Sequence, residues 1–198
     1  MGTIQTDKQQ ADILADDLAY QNAILQGVSR TFALTIPQLP PDLRKVVGNG
    51  YLLCRIADTI EDSDTLTIDE KRRYYDWFIK AIEHQASGAK FGHDLAPRLQ
   101  GSTLEAERDL VRNTERVLRI THGFSDDDQK ALRRCIRIMS EGMDDFQEGR
   151  FTNGLRDQQH LDDYCYHVAG VVGEMLTQLF CAHSPDIAAR KDELERRA

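Results

Sequence analysis

The chain of 198 residues carries 40% apolar and 29% charged side chains and a formal net charge of −8, the composition of a soluble globular domain rather than a disordered segment. That charge excludes a general nucleic-acid binder, which needs a cationic surface to displace counterions from phosphates. Cys54, Cys135, Cys165 and Cys181 show no CxxC spacing, so neither a zinc site nor a thioredoxin-like pair is indicated, and reduced thiols are expected. The first seventeen residues are polar and acidic where an export signal would be basic and then apolar. No stretch approaches the roughly 18–20 apolar residues needed to cross a bilayer, and a cytoplasmic location is expected.

Apolar residues recur three and four apart through most of the chain, which predicts an all-α fold. Residues 1–198 read as one domain. Helices are predicted at about 11–29, 41–62, 68–86, 103–121, 125–149, 157–183 and 185–197, with ends uncertain by roughly 2–4 residues. Pro40 and Pro41 break the chain before Asp42, and Thr67 with Glu70 three residues on forms a capping-box pattern. Ser125 with Asp128 and Ser102 with Glu105 show similar patterns. The stretch 87–103 holds three Gly, one Pro and few apolar residues, and is predicted to be a loop.

Between the first two predicted helices, Ser29, Arg30 and Thr31 offer two hydroxyls and a guanidinium within three residues, a set of donors suited to phosphate. A turn or capping role for Ser29 and a surface role for Arg30 is the open alternative. Within the helix predicted at 41–62, Tyr51, Arg55, Asp58 and Asp62 fall on one face at steps of four, three and four, with Glu61 beside them. Leu52, Leu53, Ile56 and Ile60 take the other directions, so the polar stripe interrupts a segment apolar enough to be buried. Three carboxylates within one turn repel one another, and burying them calls for a cation. Magnesium suits the pattern, since it takes one or two carboxylates plus water and bridges to phosphate. An acidic helix end running on into Ser63 and Asp64 is the alternative. An EF-hand fails, because Thr67 and Arg73 stand where Gly and Glu are needed.

Further on, Ala169, Gly170 and Gly173 lie within the helix predicted at 157–183, where each Gly costs roughly 1 kcal/mol relative to Ala. Close approach of a neighbouring helix or of a ligand would account for them. Tyr164 by itself reads as a core or boundary tyrosine, and His167 as a core residue or one behind the site.

The Ser-Arg-Thr-Phe run at 29–32, the segment from Tyr51 to Asp62, and Tyr-Cys-Tyr-His-Val-Ala-Gly-Val-Val-Gly at 164–173 continuing to Leu179 and Phe180 together closely resemble the squalene/phytoene synthase family. The resemblance implies a class I isoprenoid synthase-like helical bundle. It implies that Ser29, Arg30, Thr31 and Phe32 contact a diphosphate and its prenyl chain, that Asp58, Glu61 and Asp62 hold magnesium, and that Tyr51 and Arg55 complete the pocket. By the same resemblance Tyr164 handles the reactive intermediate, and Val168, Val172 and Leu176 line the prenyl tunnel.

The implied reaction joins two farnesyl diphosphates head to head, giving presqualene diphosphate and then squalene with NADPH; no Rossmann pattern marks a nicotinamide site, so NADPH rests on the resemblance. Phytoene or dehydrosqualene synthase is the alternative product branch. Peripheral membrane contact is the relation to membranes expected of an enzyme with a lipid product. The family also carries a second aspartate-rich motif downstream of the Tyr-Cys helix, and the domain is expected to be truncated before it. Asp144, Asp145 and Glu148 precede the Tyr-Cys block and read as an amphipathic helix surface, not as that motif. A partial bundle is expected to expose apolar surface, and a catalytically inactive prenyl-diphosphate-binding homologue is the non-catalytic alternative. A chain-elongating prenyl synthase lacks the first and third blocks, and a di-iron oxidase would need Glu-x-x-His pairs that are missing here.

Overall fold

The structure, a computed structural model, describes residues 2–150 and 155–197, with side chains for 8–143 and 155–197. Helix α1 (Gly2–Val28) begins nine residues before its predicted start, and the short α2 (Phe32–Thr35) and a 3-10 turn (Ile36–Gln38) follow it. From Asp17 onward α1 is tied to the body. The Asp17 side chain is 1% exposed, and its carboxylate accepts from Arg116 Nε at 2.9 Å and Arg119 Nε at 2.7 Å. The Arg116 guanidinium also lies 4.5 Å over the Tyr20 ring.

Helix α3 (Pro41–Asp62) has the predicted bounds. Pro41 opens it where a missing N–H is harmless, and Leu52, Leu53, Ile56 and Ile60 are fully buried. At roughly 1.5–3 kcal/mol for each such side chain, α3 is the centre of the core. Helix α4 (Ile68–Ile82) starts at the predicted capping box, with Glu70 N donating to Thr67 Oγ1 at 3.3 Å and Thr67 N to Glu70 Oε2 at 2.9 Å. It ends earlier than predicted, just before His84 at φ 61°.

The predicted loop at 87–103 is corrected by the structure: it contains helix α5 (Gly88–Leu95) and a further 3-10 turn at Ala96–Arg98. Ser87 Oγ caps α5 by accepting from Lys90 N at 3.2 Å, and the Phe91 and Phe78 rings stack at 5.3 Å. The helix predicted at 103–121 is two, α6 (Glu105–Arg112) and α7 (Thr114–His122). They part at Asn113, whose side-chain amide donates to the Asp109 carbonyl at 2.9 Å, the kind of local bond that competes with helix continuation. Ser102 does not cap α6; Leu104 holds that position, and its N–H donates to Glu107 Oε2 at 3.1 Å.

Helix α8 (Asp126–Arg150) begins at the predicted Ser125 cap, where Asp128 N donates to Ser125 Oγ at 3.2 Å. The side chains of Asp144, Asp145 and Glu148 lie outside the described residues. The helix predicted at 157–183 is interrupted: α9 (Gln158–Cys165) leads into a π-helical turn at Tyr166–Gly170 and then α10 (Val171–His183). In place of one helix at 185–197 stand α11 (Pro185–Ala188) and α12 (Lys191–Glu195). Helix α8 packs on α10, α4 and α3, and α1 packs on α7 and α3. Among the described residues there is no strand, and no helix is long and apolar enough to cross a membrane.

Candidate functional site

Packed side by side, α3, α8, α10 and the π turn line a half-open cavity of about 300 Å³, flanked on one side by α2 and its 3-10 turn. Val47, Tyr51, Cys54 and Asp58 supply the α3 wall, one face at steps of four, three and four. Val168, Ala169, Val172, Met175 and Leu176 supply the opposite wall, Met139 the α8 side, and Phe32 and Ile36 the flank. Of the residues picked from the sequence, Phe32, Tyr51, Asp58, Val168, Val172 and Leu176 are thus brought together in one cavity. The sequence marks Ala169 only as a place of close approach, and Ile36, Val47, Cys54, Met139 and Met175 were missed; continuing the α3 stripe one turn back would have found Val47.

Local bonds explain how the walls are placed. Tyr51 Oη donates to the Val28 carbonyl at 2.9 Å, fixing α3 to the end of α1, and the Tyr51 ring meets Phe32 with centroids 5.2 Å apart. Ser29 is buried, and its Oγ accepts from Phe32 N at 3.0 Å, so this hydroxyl caps the turn that presents Phe32. Arg30 and Thr31 lie exposed on the turn and are not part of the cavity lining.

The polar end is built from both signs of charge. Arg55 Nη2 donates to Glu107 Oε1 at 2.6 Å, and its Nη1 is 3.8 Å from Asp58 Oδ2. Its buried Nε has no hydrogen-bond partner among the described residues. Burial lifts the Asp58 carboxyl to about 7; Arg55 pulls the other way, while Asp62, Glu61 and Glu107 reinforce the rise. Glu61 is buried and Asp62 exposed, and the Glu61 carbonyl accepts from Lys71 Nζ at 2.5 Å. Among the described residues no group of three or more His, Cys, Asp and Glu side chains converges as a metal site. Glu107, which clasps Arg55 from fifty-two residues away, carries no signal in the sequence beyond its place in the α6 cap.

Tyr164 is half-buried in α9, one turn before Val168, and does not line the cavity. His167 is half-buried, and its Nδ1–H donates to the Asp163 carbonyl at 2.8 Å. A Cβ at Gly142 would sit 2.3 Å from His167 Cβ and Cγ, so the absence of a side chain there lets α8 reach the π turn. Substituting Gly142→Ala is expected to lower stability by about 1–3 kcal/mol, because both colliding groups are close to backbone. A thermal melt checks it, and an unchanged midpoint would show that the π turn is not held by this contact.

Fold and site define an all-helical protein with an apolar cavity in which Asp58 is the carboxylate of the lining, its oxygen 3.8 Å from Arg55 Nη1. Comparisons with known proteins narrow that class. A family model described as squalene/phytoene synthase matches residues 25–198. The squalene synthase of Eremothecium gossypii is 31% identical over 79% of this chain and 34% of its own length. That of Botryococcus braunii is 31% identical over 89% of this chain and 36% of its own. The solved complex of TcSQS with the ligand BPH1237 superposes with a TM-score of 0.74 at 27% identity, covering 91% of this chain and 50% of that one. The chain belongs to the squalene/phytoene synthase family, and spans about a third of the length of these curated relatives.

Proposed function

We propose that the chain binds farnesyl diphosphate with magnesium and serves the head-to-head condensation of two farnesyl groups to presqualene diphosphate and squalene. What carries this reading is the cavity, in which Asp58 is the acidic member of a wall otherwise built almost wholly from aliphatic, aromatic and sulfur-bearing side chains. A hard carboxylate oxygen suits magnesium, which needs only one or two such ligands, and a carboxyl lifted to about 7 by burial and neighbouring acids is one that a cation would relieve. Asp58 would hold the ion, with Asp62 and Glu61 on the same end of α3 adding negative charge.

Bound there, magnesium would neutralise the departing diphosphate. Arg55, positioned by Glu107 and 3.8 Å from Asp58, would add positive charge beside the diphosphate. Phe32 and Tyr51 would present ring faces to the allylic cation, and the aliphatic wall of α10 would exclude water. Ser29, Arg30 and Thr31 are proposed as diphosphate contacts and Tyr164 as the residue acting on the intermediate, both on the family likeness. NADPH is proposed as reductant of the second step on the same ground.

Incubating the purified chain with farnesyl diphosphate and magnesium, with and without NADPH, tests the reading. Presqualene diphosphate is expected without the nucleotide and squalene with it; phytoene-type products would favour the other branch. Because no three-carboxylate group converges among the described residues, a binding homologue without turnover is the second reading, supported by magnesium-dependent binding of farnesyl thiodiphosphate with no product.

The raised Asp58 carboxyl also fixes a pH dependence. Metal-assisted binding competes with a proton at a group near 7, so affinity is expected to climb about tenfold per pH unit below that value and level off above it. Calorimetric titration from about pH 5.5 to 8.5 reads this directly, and a flat profile would remove Asp58 from the head-binding end.

A further inference from the structure

Further along α10 from the cavity lies a second space of about 490 Å³, a largely apolar groove between α10 and the pair α11–α12, lined by Thr177, Phe180, Ile187 and Leu194 and edged by Asp186 and Arg190. Leu176 lines both spaces. Along α10 the row Val172, Leu176, Phe180 advances one turn at a time. Val172 faces the cavity, Leu176 stands between, and Phe180 faces the groove.

The head end of the cavity is at Asp58, and its α3 wall runs eleven residues back to Val47, about 16 Å at ~1.5 Å per residue. A farnesyl main chain of about twelve carbons with bonds of ~1.5 Å extends roughly 14 Å. A tail of that length matches the α3 wall, and Leu176 is the lining residue that this cavity shares with the groove into which a longer tail would continue. Met175 is less suited to this role: it is 2% exposed, and its Cε and Sδ pack at Gly50 against α3.

We propose that Leu176 is the partition that sets the longest prenyl tail the site accepts, and that the groove behind it is a latent extension for longer tails. This rests on the prenyl-diphosphate reading of the cavity and adds its length selectivity. Leu176 is the lining residue common to the two spaces, and because it is only half-buried, trimming it is expected to leave the core in place.

The test measures binding, not turnover, with the thiodiphosphate analogues of farnesyl and geranylgeranyl chains in magnesium buffer, by calorimetry. The unsubstituted protein is expected to prefer the farnesyl analogue by roughly tenfold or more. In Leu176→Ala that preference should vanish or reverse, and Leu176→Val should move it part of the way. Adding Phe180→Asp to Leu176→Ala should cancel the gain for the longer analogue alone, since a carboxylate in the groove opposes an apolar tail. An unchanged preference in folded Leu176→Ala and Leu176→Val proteins, judged by circular dichroism, overturns the partition. Failure of the unsubstituted protein to bind either analogue overturns the prenyl reading itself, and the partition with it.

Discussion

Replacing Asp58 by Asn is expected to make the metal-free protein more stable while removing the magnesium-dependent binding of farnesyl thiodiphosphate proposed for it. A carboxyl whose folded-state value is raised from 3.8 to about 7 favours the fold in its protonated form. Its contribution is complete below the unfolded value and is lost as the pH rises through about 7. At pH 8 the folded protein holds a charge it would rather not hold, and the neutral amide of the variant removes it. The gain is on the order of 1–3 kcal/mol after allowing for the partial exposure of the side chain, a few degrees in a melt at about pH 8 and almost none at about pH 4. Binding should fall at least about 100-fold, since the amide neither neutralises the cation nor polarises toward it. Thermal melts at the two pH values and calorimetry on the same variant check both halves. A destabilised variant would make Asp58 a partner that the fold keeps for Arg55, and one that binds as before would remove it from the head-binding end. Function at the expense of stability is the pattern of a binding site, not of a salt bridge kept for the fold.

The second large effect is an asymmetry at the junction of α1 and α7. Removing both guanidiniums, as Arg116→Met with Arg119→Met, is expected to cost about 3–5 kcal/mol, because it strands the Asp17 carboxylate in a site where almost none of it reaches water. Asp17→Ala should cost less, about 1–3 kcal/mol, because the two cations it leaves behind are 23% and 42% exposed and can turn outward. In a domain of this size the double substitution corresponds to about 10 °C or more in melting temperature. Equal losses from the two variants would mean that the cluster contributes packing and not charge compensation.

How far the sequence led can be judged from particular elements. Helix α3 was legible to the residue because proline opens it, a strong apolar pattern fills it and a Ser ends it. The Thr67 and Ser125 caps were legible for the same local reason. The segment holding α5 was misread as loop because its glycines suggested flexibility. Gly92 has another purpose: a Cβ there would fall 2.5 Å from the Val111 carbonyl, so glycine allows α5 to lie against the end of α6. Gly142 is the same kind of position, and neither can be recognised until the partner helix is known. The acidic stripe announced the polar end of the cavity, yet the position of Glu107 beside Arg55 and the parting of α6 from α7 at Asn113 depend on tertiary contacts that periodicity does not encode. All-α class, family membership and six of the cavity positions were therefore legible, whereas the separate environments of Asp58, Glu61 and Asp62 on one helix end were not.

The π turn at Tyr166–Gly170 has a consequence for chain length. A wider turn amounts to one residue inserted into an α-helix without a loop to absorb it, and here the surplus lets two adjacent residues, Val168 and Ala169, face the same hollow. Shortening this turn by one residue would give back a regular, better-bonded rod, and would rotate the Tyr-Cys segment by about 100° relative to α10. The irregular stretch thus works like a shim: what the helix loses in regularity, the hollow gains in lining.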